Sequence, residues 1–131
     1  MREILFRGKN VDNGAWVYGS FIPDMLEVFC ITDIDGFIKP FSLNKEELTE
    51  VRVERSTVGQ FTGLTDKNGT KIFEGDIVKV ENALVRGIFA VEYCGISASF
   101  IVSCGERRYF LGGCNSEVIG NIHDNPELLK E

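Results

Sequence analysis

The sequence predicts a mainly β protein, a small barrel or sandwich of short antiparallel strands. Three observations predict it. Runs rich in Val, Ile, Phe and Tyr recur along the 131 residues, each of a length that suits one strand. Clusters of Gly, Asn and Asp separate them where the chain must reverse. Helical signals are confined to residues 42–51 and to the last few residues after Asn125. A chain of this length buries roughly two-thirds of its unfolded surface, so it requires neither metal nor disulfide to fold. It divides into a β-rich N-terminal part, residues 1–56, and a small-barrel domain, residues 57–131, with no flexible linker between them.

Taken in order, residues 3–7 form the first β-prone run, with Ile4 and Phe6 on one face and Leu5 and Arg7 on the other. The turn cluster Asn10-Val11-Asp12-Asn13-Gly14 joins it to residues 15–22 (AWVYGSFI), which pair back as a hairpin. Pro23-Asp24 stops that strand. Residues 28–32 (VFCIT) begin another, and Asp35-Gly36 turns the chain into residues 37–41, where Pro40 marks an edge strand. Residues 42–51 read as a helical turn, with Asn44 as cap and Glu47 completing a capping box. Its glutamates make a wet face, not a catalytic group. Val51-Arg52-Val53-Glu54 alternates apolar and charged side chains, the period of a half-exposed strand.

Residues 57–80 (TVGQFTGLTDKNGTKIFEGDIVKV) organise the rest. Asn68-Gly69 lies between two β-prone runs, and both residues tolerate the positive φ of a tight hairpin turn. Glu74-Gly75-Asp76, followed at once by Ile77-Val78, is a second tight turn leading into a buried strand. Three further β-prone runs follow at 87–94, 97–103 and 109–111, joined by Gly95 and by a loop at 104–108. Residues 117–122 (EVIGNI) are the last strand, and Gly120 within it marks a bulge or a close backbone approach. Asn125-Pro126 then starts a short C-terminal helix that Leu128 and Leu129 dock onto the barrel.

Composition narrows the function. Net charge is −6, and residues 1–57 and 58–131 each hold seven Lys/Arg and ten Asp/Glu, so neither half is basic. Phosphate backbones are bound by clustered cations that displace counterions, and this balance weighs against nucleic acid as the partner. No apolar run reaches the roughly 18 residues of a membrane span, and MREILFRGKN lacks the apolar core of a secretory signal. The expected location is the cytoplasm.

Reactive groups are few. Cys94, Cys104 and Cys114 are evenly spaced, but zinc sites draw on close Cys-x-x-Cys pairs. These thiols and Cys30 are expected to be structural, and no metal or cofactor is expected. His123, the single histidine, could activate Cys94 or Cys114 as a nucleophile; its place before a helix cap favours a capping or surface role. Asp66, Glu74 and Asp76 flank the central turns, where carboxylates commonly bond backbone amides and need no further task. Trp16, the single tryptophan, is expected to pack. The candidate binding residues are Arg107, Arg108 and Tyr109, because small barrels stack bases on aromatic rings beside cations.

The stretches TVGQFTGLTDKNGTKIFEGDIV at 57–78 and EVIGNIHDNPELL at 117–129, with the opening EILFRGKNVDNGAWVYG, resemble the YopX family of small phage and prophage proteins. The quoted motifs do not extend over residues 81–116, which are read as this protein's own. The resemblance implies an SH3-type β-barrel over the second half, packed with a β-rich N-terminal part, and a phage or prophage product working in a bacterial cytoplasm. It brings no established activity and no catalytic residues. The expected function is therefore a non-enzymatic binding or accessory module that takes a protein partner or a second copy of itself. The alternative is a nucleic-acid-binding domain that uses the barrel surface.

Overall fold

The computed structural model describes residues 5–23, 28–33, 48–82, 85–113 and 115–129. The expected strand at 37–41 with Pro40, the Asn44 cap with Glu46 and Glu47, Cys114 and the side chain of Cys30 lie outside the described residues. The chain separates into two compact units, Met1–Phe61 and Thr62–Glu131.

The protein is mainly β, with two antiparallel sheets and no α-helix among the described residues. The first sheet contains β1 (Phe6–Lys9), β2 (Trp16–Pro23), β3 (Val28–Asp33), β4 (Leu48–Val53), β5 (Gly59–Thr65) and β6 (Lys71–Phe73), in the order β4-β3-β2-β1-β5-β6. The expected hairpin of β1 and β2 forms with Arg7 opposite Tyr18 and Lys9 opposite Trp16. Its turn is closed by side chains: Asn10 Oδ1 accepts the Asp12 amide and Asn13 Oδ1 accepts the Ala15 amide, both at 2.8 Å. One expectation is corrected here. Residues 48–51, read as helix, are extended in β4, because the β-branched Thr49, Val51 and Val53 pair in register with β3 over six residues.

The second sheet contains β7 (Asp76–Glu81), β8 (Arg86–Cys94), β9 (Ser99–Cys104), β10 (Arg107–Phe110) and β11 (Ser116–Asn121), in the order β10-β9-β8-β7-β11. β7 to β10 form a meander, and β11 returns beside β7. Pairing among the described strands leaves this sheet open at β10 and β11, where the sequence pointed to a closed barrel. Its core is a contiguous cluster of Ile72, Val78, Val80, Phe89, Val91, Val102 and Leu111, all buried. Val78 and Val80 on β7 and Phe89 and Val91 on β8 sit at alternate positions and, with Val102 on β9, share one face of this sheet; Ile72 from β6 and Leu111 from the turn after β10 join them.

The expected C-terminal helix is a single 3-10 turn, Pro126–Leu129, lying against β8. Gly120 meets its expectation fully. The β7–β11 register shifts between Val118 and Gly120, and a Cβ at Gly120 would come within 2.6 Å of Asn125 Oδ1 and 3.0 Å of Leu128 Cδ1. The last turn therefore closes over a spot that only glycine leaves free.

Candidate functional site

The two central turns employ their acids as backbone acceptors. Asp66 is buried, and its Oδ1 accepts the amides of Asn68 and Thr70 at 2.8 and 2.9 Å. Its Oδ2 accepts the amide of Val118, 52 residues away, at 2.9 Å. Burial pushes the carboxyl up, but those three amides together with Lys67 outweigh it and hold Asp66 below its ordinary value. The turn expected at Asp66-Lys67-Asn68-Gly69 forms, with the Gly69 amide donating to the Asp66 carbonyl at 3.0 Å and the Asp66 amide to the Thr70 carbonyl at 2.8 Å. Of Asn68 and Gly69, only the glycine has positive φ, +84°. The Asp66 side chain holds this turn by accepting the Asn68 amide within it and the Thr70 amide just after it.

The second turn has the same logic. Asp76 is buried, and its Oδ2 accepts the Phe73 amide at 2.8 Å, closing Phe73-Glu74-Gly75-Asp76. Gly75 has φ +88°, the value required at the third position of a type II turn. Its amide donates to Val91 and its carbonyl accepts from Ile122, so the turn joins β8 to the end of the last strand. Among the described residues no group of three or more His, Cys, Asp or Glu gathers where it could hold a metal ion.

Cys114, one of the two thiols that His123 was expected to be able to activate, lies outside the described residues. The His123 amide donates to Asn121 Oδ1 in the turn after β11, and its imidazole lies beside Gly75. Cys94 has a thiol held below its ordinary range by the hydroxyl and amide of Ser97, the amide of Ile96 and the charge of Arg108. His123 is not among the groups that lower it. Cys94 and Cys104 are unpaired thiols.

The structure divides the three candidate binding residues between two faces. The loop expected at 104–108 is only the two-residue turn Gly105-Glu106, and Arg107 and Arg108 open β10. Alternation then sends Arg107 and Tyr109 one way and Arg108 and Phe110 the other. Arg107 lies over the rings of Phe89 (5.0 Å) and Tyr109 (5.8 Å) and donates to the Arg86 carbonyl at 3.1 Å. Tyr109 in turn meets Phe89 edge to face at 5.8 Å. Both are thereby engaged in the packing of this unit, while Arg108 is exposed beside Phe110.

Two surfaces escaped the sequence reading. At one end of the second sheet Tyr93 is 51% exposed, Phe110 65% and Ile96, on the turn between β8 and β9, 99%. Tyr93 also stands edge to face on Phe100 at 5.4 Å. The signal was faint, because these residues are scattered over three elements; the β8–β9–β10 register brings them to one end of the sheet, with Tyr93 and Phe110 on opposite faces. In the first unit, Arg7 and Lys9 lie 4.5 and 5.5 Å from the Trp16 ring centre. Here a signal was present: Arg-x-Lys and Trp-x-Tyr on paired strands put two cations and two rings on one face.

With this geometry in place, comparison with known proteins can be read. A family model described as YopX protein matches residues 5–130. Among solved structures, the chain is similar to protein EF1440 from Enterococcus faecalis, at 24% identity and a TM-score of 0.58, over 99% of this chain and 100% of that one. That likeness is one of fold. No curated protein matches the sequence.

Proposed function

This chain belongs to the YopX family, and on that premise we propose a non-enzymatic binding or accessory module of phage or prophage origin. It acts in the bacterial cytoplasm on a protein partner or on a second copy of itself. The carrying observation is the apolar end of the second sheet. Burying a side chain the size of Ile96 is worth about 1.5–3 kcal/mol, a gain the isolated chain forgoes at a position 99% exposed. Tyr93 and Phe110, at that same end but on opposite faces of the sheet, each add exposed aromatic area of the kind that anchors interfaces. The acids that chemistry would need, Asp66 and Asp76, are engaged by backbone amides, which supports a role without catalysis.

The SH3-type reading of residues 57–131 draws support from connectivity. A four-strand meander is followed by the 3-10 turn Leu111–Gly113, and the fifth strand returns beside the first. Among the described residues no helix is long and apolar enough to cross a membrane.

The reading is tested by sedimentation velocity across a concentration series, paired with capture from extracts of induced host cells. The wild type is compared with a triple variant, Tyr93→Ser, Ile96→Ser and Phe110→Ser. Self-association or a captured protein lost in the variant supports the module. A wild type that is monomeric and captures nothing, or a variant that behaves identically, removes it.

A further inference from the structure

The second sheet ends in two edge strands, and the chain treats them differently. At β11 the Ser116 carbonyl accepts the Lys67 amide and the Val118 amide donates to Asp66 Oδ2, both at 2.9 Å. A register shift between Val118 and Gly120 interrupts that edge further. β10 carries none of these devices. Its register with β9 is unbroken over Arg107–Phe110, it contains no proline, and among the described residues β9 is the strand it pairs with. Arg107, Arg108 and Phe110 are exposed, Phe110 at 65%. An edge of this kind presents a row of backbone donors and acceptors to another strand.

The turn before β10 fixes which groups are on offer. Residues flanking a two-residue turn exchange their backbone bonds, so Cys104 bonds Arg107 and, by alternation, Val102 bonds Tyr109. The N–H and C=O of Arg108 and Phe110 therefore point away from β9. We infer that this edge pairs, antiparallel and about a two-fold axis, with β10 of a second copy of the chain. The inference rests on the reading above of a module that takes a second copy of itself, and Phe110 belongs to the apolar end on which that reading stands. A two-fold axis perpendicular to the sheet keeps every residue on its own face, so Arg108 meets Arg108 or Phe110 of the second copy, never Tyr109. Arg108 opposite Arg108 sets like charges together and forms one hydrogen-bonded pair. Arg108 opposite Phe110 forms two such pairs, with Tyr109 facing Tyr109 on the axis, and lays each guanidinium against an exposed ring. The strand is thus complementary to itself in one register. A peptide of unrelated sequence matches the backbone alone, and the edge of β11 has its Ser116 carbonyl and Val118 amide already bonded.

The experiment follows the full chain by sedimentation velocity and by hydrogen exchange across a concentration series. The expected result is a monomer–dimer equilibrium in which exchange over residues 107–110 slows as concentration rises. Arg108→Pro removes an amide that β9 does not use, and proline is tolerated at such edge positions. It is expected to weaken the dimer about ten- to hundredfold, because symmetry removes the bond from both copies. Arg108→Ala leaves the backbone intact, so it remains informative should Arg108→Pro fail to fold. Loss of both guanidinium–ring contacts is expected to weaken the dimer about five- to thirtyfold. Glu92→Ala, exposed on β8 away from the edge, should leave it unchanged. A dimer with no slowing over 107–110, or one that both Arg108 variants leave equally strong, overturns the edge pairing and leaves the module reading in place. So does a monomeric wild type that captures a host protein lost in the Tyr93, Ile96 and Phe110 triple variant. A wild type that stays monomeric and captures nothing overturns both.

Discussion

Asp66 shows how one side chain fixes a local conformation and a long-range contact together. One oxygen shapes the loop of residues 67–69, and the other is fastened to Val118 on the last strand. Its carboxyl titrates below its ordinary value, so its unfolded pKa of about 3.9 is the higher one. The stabilisation is therefore complete above about pH 4 and is lost as pH falls through the lowered folded value. Asp66→Asn is expected to lose about 1–3 kcal/mol, since an amide group offers the Val118 amide a donor in place of an acceptor. Acid titration of both proteins by circular dichroism should show a weaker pH dependence below pH 4 in the variant. Gly75 acts through its backbone. A Cβ there meets only ordinary contacts with His123 and Ile122, so the cost of Gly75→Val is that of φ +88° for a β-branched residue. We expect about 1–3 kcal/mol by chemical denaturation; unchanged unfolding would mean that the turn relaxes freely. The role of Gly75 was legible in Glu-Gly-Asp before Ile-Val, since a turn motif is local. The bond from Asp66 to Val118 was not, because nothing in either segment names a partner 52 residues away.

Among the elements, strands were legible where alternation was clean and misread where glutamates clustered. The helix read from the Asn44–Glu47 capping pattern ran through Val51, yet the pairing of β4 with β3 decided the outcome for residues 48–51, as tertiary context does for weak local signals. The C-terminal turn was correctly placed but too short to propagate into a helix. The loop read at 104–108 hid the start of β10, and with it the separation of the two arginines. That separation has a measurable consequence. Arg107→Ala should destabilise the protein by about 0.5–1 kcal/mol through its lost contacts with Phe89 and Tyr109. Arg108→Ala, on the exposed face, should stay within about 0.5 kcal/mol of wild type; equal effects would contradict the assignment of faces. Gly120→Ala tests the closing turn. With Asn125 Oδ1 in its way, the added methyl should cost about 1–3 kcal/mol and increase hydrogen exchange over 121–129.

Across the whole molecule, two of the three stretches that carried the family resemblance turn out to be one structural device. Asp66 bonds Val118, the Gly75 carbonyl bonds Ile122, and Asp76 pairs with Asn121. Residues 57–78 and 117–129 are thus tied together by hydrogen bonds and strand pairing, and the segment between them runs through β8, β9 and β10. That segment holds Tyr93, Ile96 and Phe110, where the binding surface is proposed. The most direct test places a photo-crosslinking amino acid at position 96 in the full chain, expressed in an induced host, with position 74 as the control. A discrete crosslinked species from position 96 and none from position 74 is the result expected here. No product at 96, or the same products from both positions, would contradict it.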